Sequence, residues 1–387
     1  MRGAGTETGN GKTAVTPLPR AFPRRKPLPV RAKILLGMQL EMRPRMRHTA
    51  RGNVCGSGKM KEALFYEKLE GERVHCLLCP QDCVIAPGKK GFCRVRSNVG
   101  GVLYAENYER AMARAMDPIE KKPLYHFYPG ASIYSLGTRG CNQRCDFCQN
   151  WHMLEDDAPT GELGAHEAVE DALRHRSMGI AYTYNEPTIW FEFVLECSRL
   201  AREKGLRNVL VTNGSINPEP FARLAPYVDA MNIDVKSMDP EFYRKICKSK
   251  LEPVLATCQA AREAGIHVEI TNLVIPTLND SDELFERLVD FVHGLGPEVP
   301  LHFSAYFPAY KMTIEPTPLA ALLRAQEIAR RKLYYVFLGN VAAADGSHTY
   351  CPQCGHLLIA RRGYAVSVEG IEEKRCNRCG RAVDVVM

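Results

Sequence analysis

The segment Gly140-Cys141-Asn142-Gln143-Arg144-Cys145-Asp146-Phe147-Cys148-Gln149-Asn150-Trp151 spaces three cysteines as C-x3-C-x2-C. Three thiolates this close can wrap one corner of a metal cluster. Iron–sulfur clusters normally take four cysteines, so a trio leaves one iron open to a small molecule. A structural zinc site needs a fourth donor, for which His152 is the local candidate. Cysteines that bind nothing are the remaining plain reading.

Outward from this loop, apolar strands alternate with helical stretches. Residues 133–138 read as a strand ending just before the cysteines. Strands at 180–184, 208–212, 230–235, 268–274, 301–306 and 334–338 then alternate with helices at 162–178, 188–204, 218–225, 253–264, 280–293 and 318–332. Gly205 and Gly265 close two of those helices. Continuous apolar strands separated by helices predict a parallel sheet with helices outside. The expected fold class is α/β: a partial (β/α) TIM-like barrel over residues 131–340. A doubly wound open sheet is the alternative. In such barrels chemistry gathers at the C-terminal strand ends, where this loop lies.

The chain has 387 residues, 45% hydrophobic and 25% charged, an ordinary globular composition. No apolar, charge-free run reaches the roughly 18 residues of a membrane span. The net charge of +7 is uneven: residues 1–53 hold twelve Lys/Arg against two acids, +10, which leaves −3 for the rest. The total therefore implies no general nucleic-acid surface. Residues 1–58 read as a disordered basic extension, rich in Pro, Gly, Arg and Thr. A solvated extension, or initiation at Met46 or Met60, is favoured there over a targeting segment. A reducing cytoplasm is expected, in which cysteine clusters mean metal rather than disulfide.

Two further cysteine sets flank the barrel. Residues 345–387 carry the knuckles Cys351-x2-Cys354-Gly and Cys376-x2-Cys379-Gly, with short strands expected at 357–360 and 364–368. That pattern predicts a zinc ribbon folded by its metal, with a rubredoxin-like iron site the lesser reading. It lacks the aromatic and basic face of a nucleic-acid binder. In the Cys-rich N-terminal region, 59–130, Cys76-x2-Cys79-x3-Cys83-x9-Cys93 forms a second four-thiol set. It fits structural zinc, the favoured reading, or an auxiliary [4Fe–4S] cluster. The charged stretch 117–130, DPIEKKPLYHFYPG, reads as a docking segment or a solvated connector.

C-x3-C-x2-C after the first strand of a (β/α) barrel, with Phe147 between the last two cysteines, resembles the radical S-adenosylmethionine (SAM) enzymes. The blocks FYEKL at 65–69, CLLCPQDC at 76–83, SLGTRGCNQRCDFCQNW at 135–151, AYTYNEPTIWFEF at 181–193 and DVKS at 234–237 resemble the branch of the pyruvate formate-lyase activating enzymes. The resemblance is greatest to the radical SAM enzyme of the AmmeMemoRadiSam system and covers residues 61–387. It implies that Cys141, Cys145 and Cys148 hold a [4Fe–4S] cluster whose open iron is chelated by SAM. One electron then splits SAM into methionine and a 5′-deoxyadenosyl radical, the cofactor carrying the difficult chemistry.

The same resemblance nominates SAM contacts. The GGE motif of many relatives is missing; Asn185 and Glu186 stand at the matching strand end, Glu186 as acceptor for the SAM ammonium. Its plain reading is a helix-start acid. Asn213 falls near the ribose or carboxylate position, against an ordinary Asn-Gly turn. Asp234 and Lys236 share one strand face and match a SAM-touching pair, against a structural ion pair. His302 matches a SAM-contacting histidine, against a satisfied core residue, and loop 275–280 matches an adenine pocket, against a hydrophobic turn. Implied partners are SAM, a reducing donor such as flavodoxin or ferredoxin, and a substrate. That substrate is either a protein glycine, as in glycyl-radical activases, or a small organic molecule. A zinc-bound scaffold or RNA-binding module without catalysis is the reading of another class. No membrane partner is expected.

Overall fold

The computed structural model describes residues 60–341 and 346–387. The basic extension and Cys55 lie outside the described residues.

Seven parallel strands run in sequence order across one sheet: β1 Ser132–Gly137, β2 Gly179–Tyr182, β3 Arg207–Thr212, β4 Ala230–Asp234, β5 His267–Val274, β6 Leu301–Ala305 and β7 Val336–Gly339. Six helices return the chain between them: α1 Ala165–Arg174, α2 Phe191–Glu203, α3 Pro218–Leu224, α4 Glu252–Glu263, α5 Asp282–Leu295 and α6 Leu319–Ala329. The strands are buried on both faces, which is why they read as unbroken apolar runs; every residue of β2 and β6 is buried. Helices bury one stripe instead: Phe285, Leu288, Val289 and Val292 of α5 face the sheet, and the Ser281 hydroxyl caps its first turn.

Two elements depart from the expected order. Ala113–Pro118 joins the sheet as an eighth, antiparallel edge strand beside β1, upstream of the anticipated barrel start at residue 131. The helix expected over 162–178 begins only at Ala165, because Gly161–Glu162 pairs with Arg110–Ala111. Among the described residues no ladder joins the edge strand to β7, so the barrel is partial.

The stretch between the edge strand and β1 is packed against the sheet and is not a solvated connector. Ile119, Leu124 and Phe127 pack against Ile133, Ala181, Val209 and Ala230, at or near the N-terminal ends of β1 to β4. Glu269 of β5, fully buried, accepts the backbone N–H groups of Tyr125 and His126. These residues close the base of the barrel. The C-terminal ribbon then latches onto them. Val386 exchanges backbone hydrogen bonds with His126 and Tyr128, and the buried Arg361 guanidinium lies 4.5 Å from the Tyr125 ring centre. The ribbon's strands include Leu357–Arg362 and Ala365–Val368, close to expectation.

Candidate active site at the open end of the barrel

The cysteine loop leaves β1 at its C-terminal end and is fastened on every side. Gly140 has a φ of +89°, and a Cβ there would stand 2.7 Å from the Cys93 carbonyl oxygen, so only glycine fits. Asn185 accepts a hydrogen bond from Thr138 N (3.2 Å) and donates one to Gly140 O (2.8 Å). Asn213 donates to Asn142 Oδ1 (2.9 Å), and Asn142 donates onward to Ser215 O (2.6 Å). A π-helical turn at Tyr243–Cys247 presents carbonyls to Arg144 N (2.9 Å) and Asp146 N (3.1 Å). Loop positions are thus set by the ends of β1 to β4.

Cys145 is buried, and Cys141 and Cys148 are half-buried. Burial pushes the Cys141 and Cys148 thiols up, and each is raised further by the charge of Cys145. Cys145 is raised by the adjoining thiol of Cys247 and by burial. Two donors already address Cys141 Sγ: Gln143 N at 3.4 Å and Asn213 Nδ2 at 3.7 Å. Thiols held in their protonated form give up those protons when a metal binds. Cys247 adjoins Cys145, whereas the groups acting most strongly on Cys141 and Cys148 do not include it.

Glu186 is fully buried beside Cys141, and burial pushes its carboxyl up. It caps the turn Pro187–Trp190 through Thr188 N (2.9 Å) and also accepts Thr212 Oγ1 (2.8 Å) and Asn213 N (2.8 Å). A carboxylate offers about four acceptor directions, so one remains for a further donor. At the end of β4, Lys236 Nζ bonds Asp234 Oδ2 at 2.8 Å and lies 5.8 Å from the Phe147 ring centre. Burial alone would lower Lys236; Asp234 and the thiols of Cys145 and Cys247 outweigh it and raise it. In the loop 275–280, Asn279 donates to Lys236 O (2.6 Å), tying that loop to the same corner.

The structure therefore gathers Cys141, Cys145, Cys148, Phe147, Asn185, Glu186, Asn213, Asp234 and Lys236 around one end of the barrel. His302 belongs elsewhere: its Nε2 is taken by Glu269 at 2.6 Å, and the Tyr125 ring packs edge-on against it at 4.8 Å. A buried acid needs partners, and Glu269 uses His302 as one. Asn142, Asn279 and Cys247 were not singled out in the sequence. Asn142 and Asn279 carried a weak signal, an amide inside a nominated loop; Cys247 carried none.

In the ribbon, Cys351 and Cys379 Sγ lie 3.6 Å apart and Cys354 and Cys376 Sγ 3.7 Å apart. Hydrogen bonds from the Arg378 and Cys379 backbone outweigh burial and bring Cys376 down to about 7. A tetrahedral ion with metal–sulfur bonds of about 2.3 Å sets its sulfurs roughly 3.8 Å apart, so these four fit one metal ion. Cys76, Cys79, Cys83 and Cys93 are all unbridged, and burial raises Cys76 to about 11.

Comparison with known proteins matches residues 135–292 to the radical SAM superfamily. An uncharacterized protein of Methanocaldococcus jannaschii is 47% identical over 336 residues, 85% of this chain and 100% of its own length. The pyruvate formate-lyase-activating enzyme of Streptococcus mutans is 28% identical over 171 residues, 41% of this chain and 64% of that enzyme. The GTP 3′,8-cyclase of Pseudomonas entomophila is 32% identical over 183 residues, 44% of this chain and 52% of that protein.

Proposed function

Because the chain belongs to the radical SAM superfamily, we propose that Cys141, Cys145 and Cys148 hold a [4Fe–4S] cluster with one iron left for SAM. The observation that carries this reading is the convergence of three mutually interacting thiols with the unfilled acceptor of Glu186 and the buried cation of Lys236. When bound, the cluster supplies the electron that divides SAM into methionine and a 5′-deoxyadenosyl radical. Glu186 receives the SAM ammonium in its remaining acceptor direction. Lys236, oriented by Asp234, neutralises the SAM carboxylate. Asn213 and Asn185 hold the loop while its amide donors steady the Cys141 sulfur. Loop 275–280 borders the adenine. His302 takes no part in SAM binding in this reading.

The substrate we infer is a protein glycine, from which the radical removes hydrogen. The likeness to pyruvate formate-lyase-activating enzymes supports this. So does an exposed aromatic patch next to the cysteine loop, where Trp151 stacks on Tyr310 at 5.6 Å with Phe307 nearby in sequence. A small organic substrate is the second reading, favoured by the likeness to the cyclase. Membership of the AmmeMemoRadiSam branch rests on the matched sequence blocks. A reducing protein such as flavodoxin or ferredoxin is the electron donor. A cavity of about 710 Å³ beside the loop, lined by Lys89, Lys90, Arg94, Arg144, Lys248 and Lys311, suits an acidic one. The ribbon takes zinc, which its sulfur spacing supports. Unbridged cysteines support a cytoplasmic site of action, and no helix among the described residues is long and apolar enough to cross a membrane.

The test is reductive SAM cleavage by anaerobically reconstituted protein, beside Cys145→Ala. The variant is expected to fall to background; equal cleavage by both removes the assignment. Deuterated candidate substrates that pass label into 5′-deoxyadenosine separate the two substrate readings.

A further inference from the structure

Four cysteines of the N-terminal region take no part in the site described above. Cys76 ends the strand Val74–Cys76, whose neighbour begins at Val84, directly after Cys83; Cys76 N bonds Cys83 O at 2.9 Å. Cys79 sits in the turn between them, where its carbonyl accepts Asp82 N at 3.2 Å. Cys93 returns from the following loop. Phe92 N, next to Cys93, reaches Cys83 Sγ at 3.5 Å, which brings the returning loop onto the strand pair that carries Cys76 and Cys83. Cys76, Cys79 and Cys93 are each at most 8% exposed.

Two features separate this set from the ribbon. Among the described residues, only the ribbon's four sulfurs form a group of metal-ligating atoms all within 4.8 Å of one another. The N-terminal thiols form no such group, as four ligands already placed for one tetrahedral ion would. One hydrogen-bond donor is turned on sulfur here: Phe92 N donates to Cys83 Sγ at 3.5 Å. Arg96, three residues after Cys93 and 2% exposed, grips Glu192 with both terminal nitrogens (2.8 and 2.7 Å), while its Nε has no partner. A buried N–H without an acceptor costs about 1–3 kcal/mol. Inorganic sulfide bridging irons is an acceptor for it; a zinc ion wrapped by four thiolates offers none beyond the thiolates themselves. Hydrogen bonds to cluster sulfur are an established way for a protein to tune such a group.

We propose that Cys76, Cys79, Cys83 and Cys93 hold a second [4Fe–4S] cluster, seated against the loop that carries Cys141, Cys145 and Cys148. The contact between the two sets is direct. Gln81, between Cys79 and Cys83, donates to Asn142 O at 2.8 Å. Arg144 donates to Phe92 O at 2.7 Å. The Cys93 carbonyl abuts Gly140, immediately before Cys141. The site stands on its own residues and does not need the proposed function of the first loop.

The experiment counts iron, acid-labile sulfide and zinc in anaerobically reconstituted full-length protein. It also records electron paramagnetic resonance after dithionite reduction. Three proteins are compared: wild type, the triple variant Cys141→Ala/Cys145→Ala/Cys148→Ala, and Cys79→Ser/Cys93→Ser. Expected are about eight irons and about one zinc in wild type, and about four irons with a reduced-cluster signal in each variant. If a variant fails to fold, wild type still decides: about eight irons with about one zinc uphold the proposal, and about four irons with about two zincs overturn it. Two zincs in wild type, or no iron in a folded triple variant, overturn the proposal. Four irons in wild type that all survive the triple substitution uphold it and remove the proposed function instead.

Discussion

The ribbon and the open end of the barrel both gather thiols, but by opposite means. The ribbon brings four sulfurs together with short strands and a hydrophobic cluster of five buried residues: Cys351, Leu358, Ile359, Cys376 and Val385. Two of those five belong to the four-cysteine group itself. The barrel end sets three thiols on a loop fastened by Asn185, Asn213 and the turn at Tyr243–Cys247, above a large apolar core. On the proposed reading a metal would supply the folding energy in the first case, and in the second the scaffold folds around its own apolar core. Cysteine spacing alone does not distinguish a stabilising metal from a reactive one; the core beneath it does.

Chelation should break that contrast most sharply. Structural zinc in small domains is worth about 10–16 kcal/mol at neutral pH, so removing it, or making Cys354→Ser, should unfold residues 346–387. Limited proteolysis should cut there while the barrel keeps its circular dichroism. A ribbon that stays protease-resistant without metal would overturn the comparison. At the barrel end, Lys236→Met leaves the fold intact and removes a charge-assisted contact worth about 1.5–3 kcal/mol. SAM affinity of the reconstituted protein should weaken roughly 10- to 100-fold by equilibrium dialysis, with iron content unchanged.

The seam between the two regions has a pH signature. His126 lies buried there, with Asp384 O at 3.0 Å, Thr349 Oγ1 at 3.2 Å and its backbone N–H on Glu269, and burial pushes its imidazole down to about 3. An unfolded histidine takes up a proton below about pH 6.5, which the folded one refuses. Its contribution to stability is thus complete above that pH and declines as pH falls toward 3, by at most about 1.4 kcal/mol per unit. Melting temperatures between pH 7 and 4.5 should fall more steeply for wild type than for His126→Asn. Glu269, held low by His267 and His302 against the effect of burial, adds to the loss only below the ordinary carboxylate range. The smallest effect is expected of Cys247→Ser: iron content per chain should match wild type, because that thiol adjoins Cys145 and is not among the groups acting most strongly on Cys141 and Cys148. A loss of about four irons would make Cys247 a ligand and close the site to SAM.

Much of this architecture was readable because its signals are local. The parallel strands are continuous apolar runs, and the knuckles of the ribbon carry their spacing within a few residues. The edge strand Ala113–Pro118 escaped because half-exposed residues and a terminal proline hide its pairing with β1. The buried course of residues 119–130 escaped for a related reason. Its charges, Glu120 and Lys122, read as solvated, yet Lys122 finds Asp117 at 2.7 Å and Glu120 faces Arg361 across the ribbon contact. His302 went to the wrong partner because Glu269, 33 positions away, left no mark near it. Long-range polar pairing is what a one-dimensional pattern does not carry.

The plug formed by Ile119, Leu124 and Phe127 has a consequence for traffic. With that end corked, reagents and leaving fragments are left to the opposite mouth, where the cysteine loop lies. Were the proposed protein substrate to dock there, it would stopper that neck, and the proposed nucleotide would have to be aboard before the guest arrives. Turnover of the whole assembly would then keep time with the guest's release.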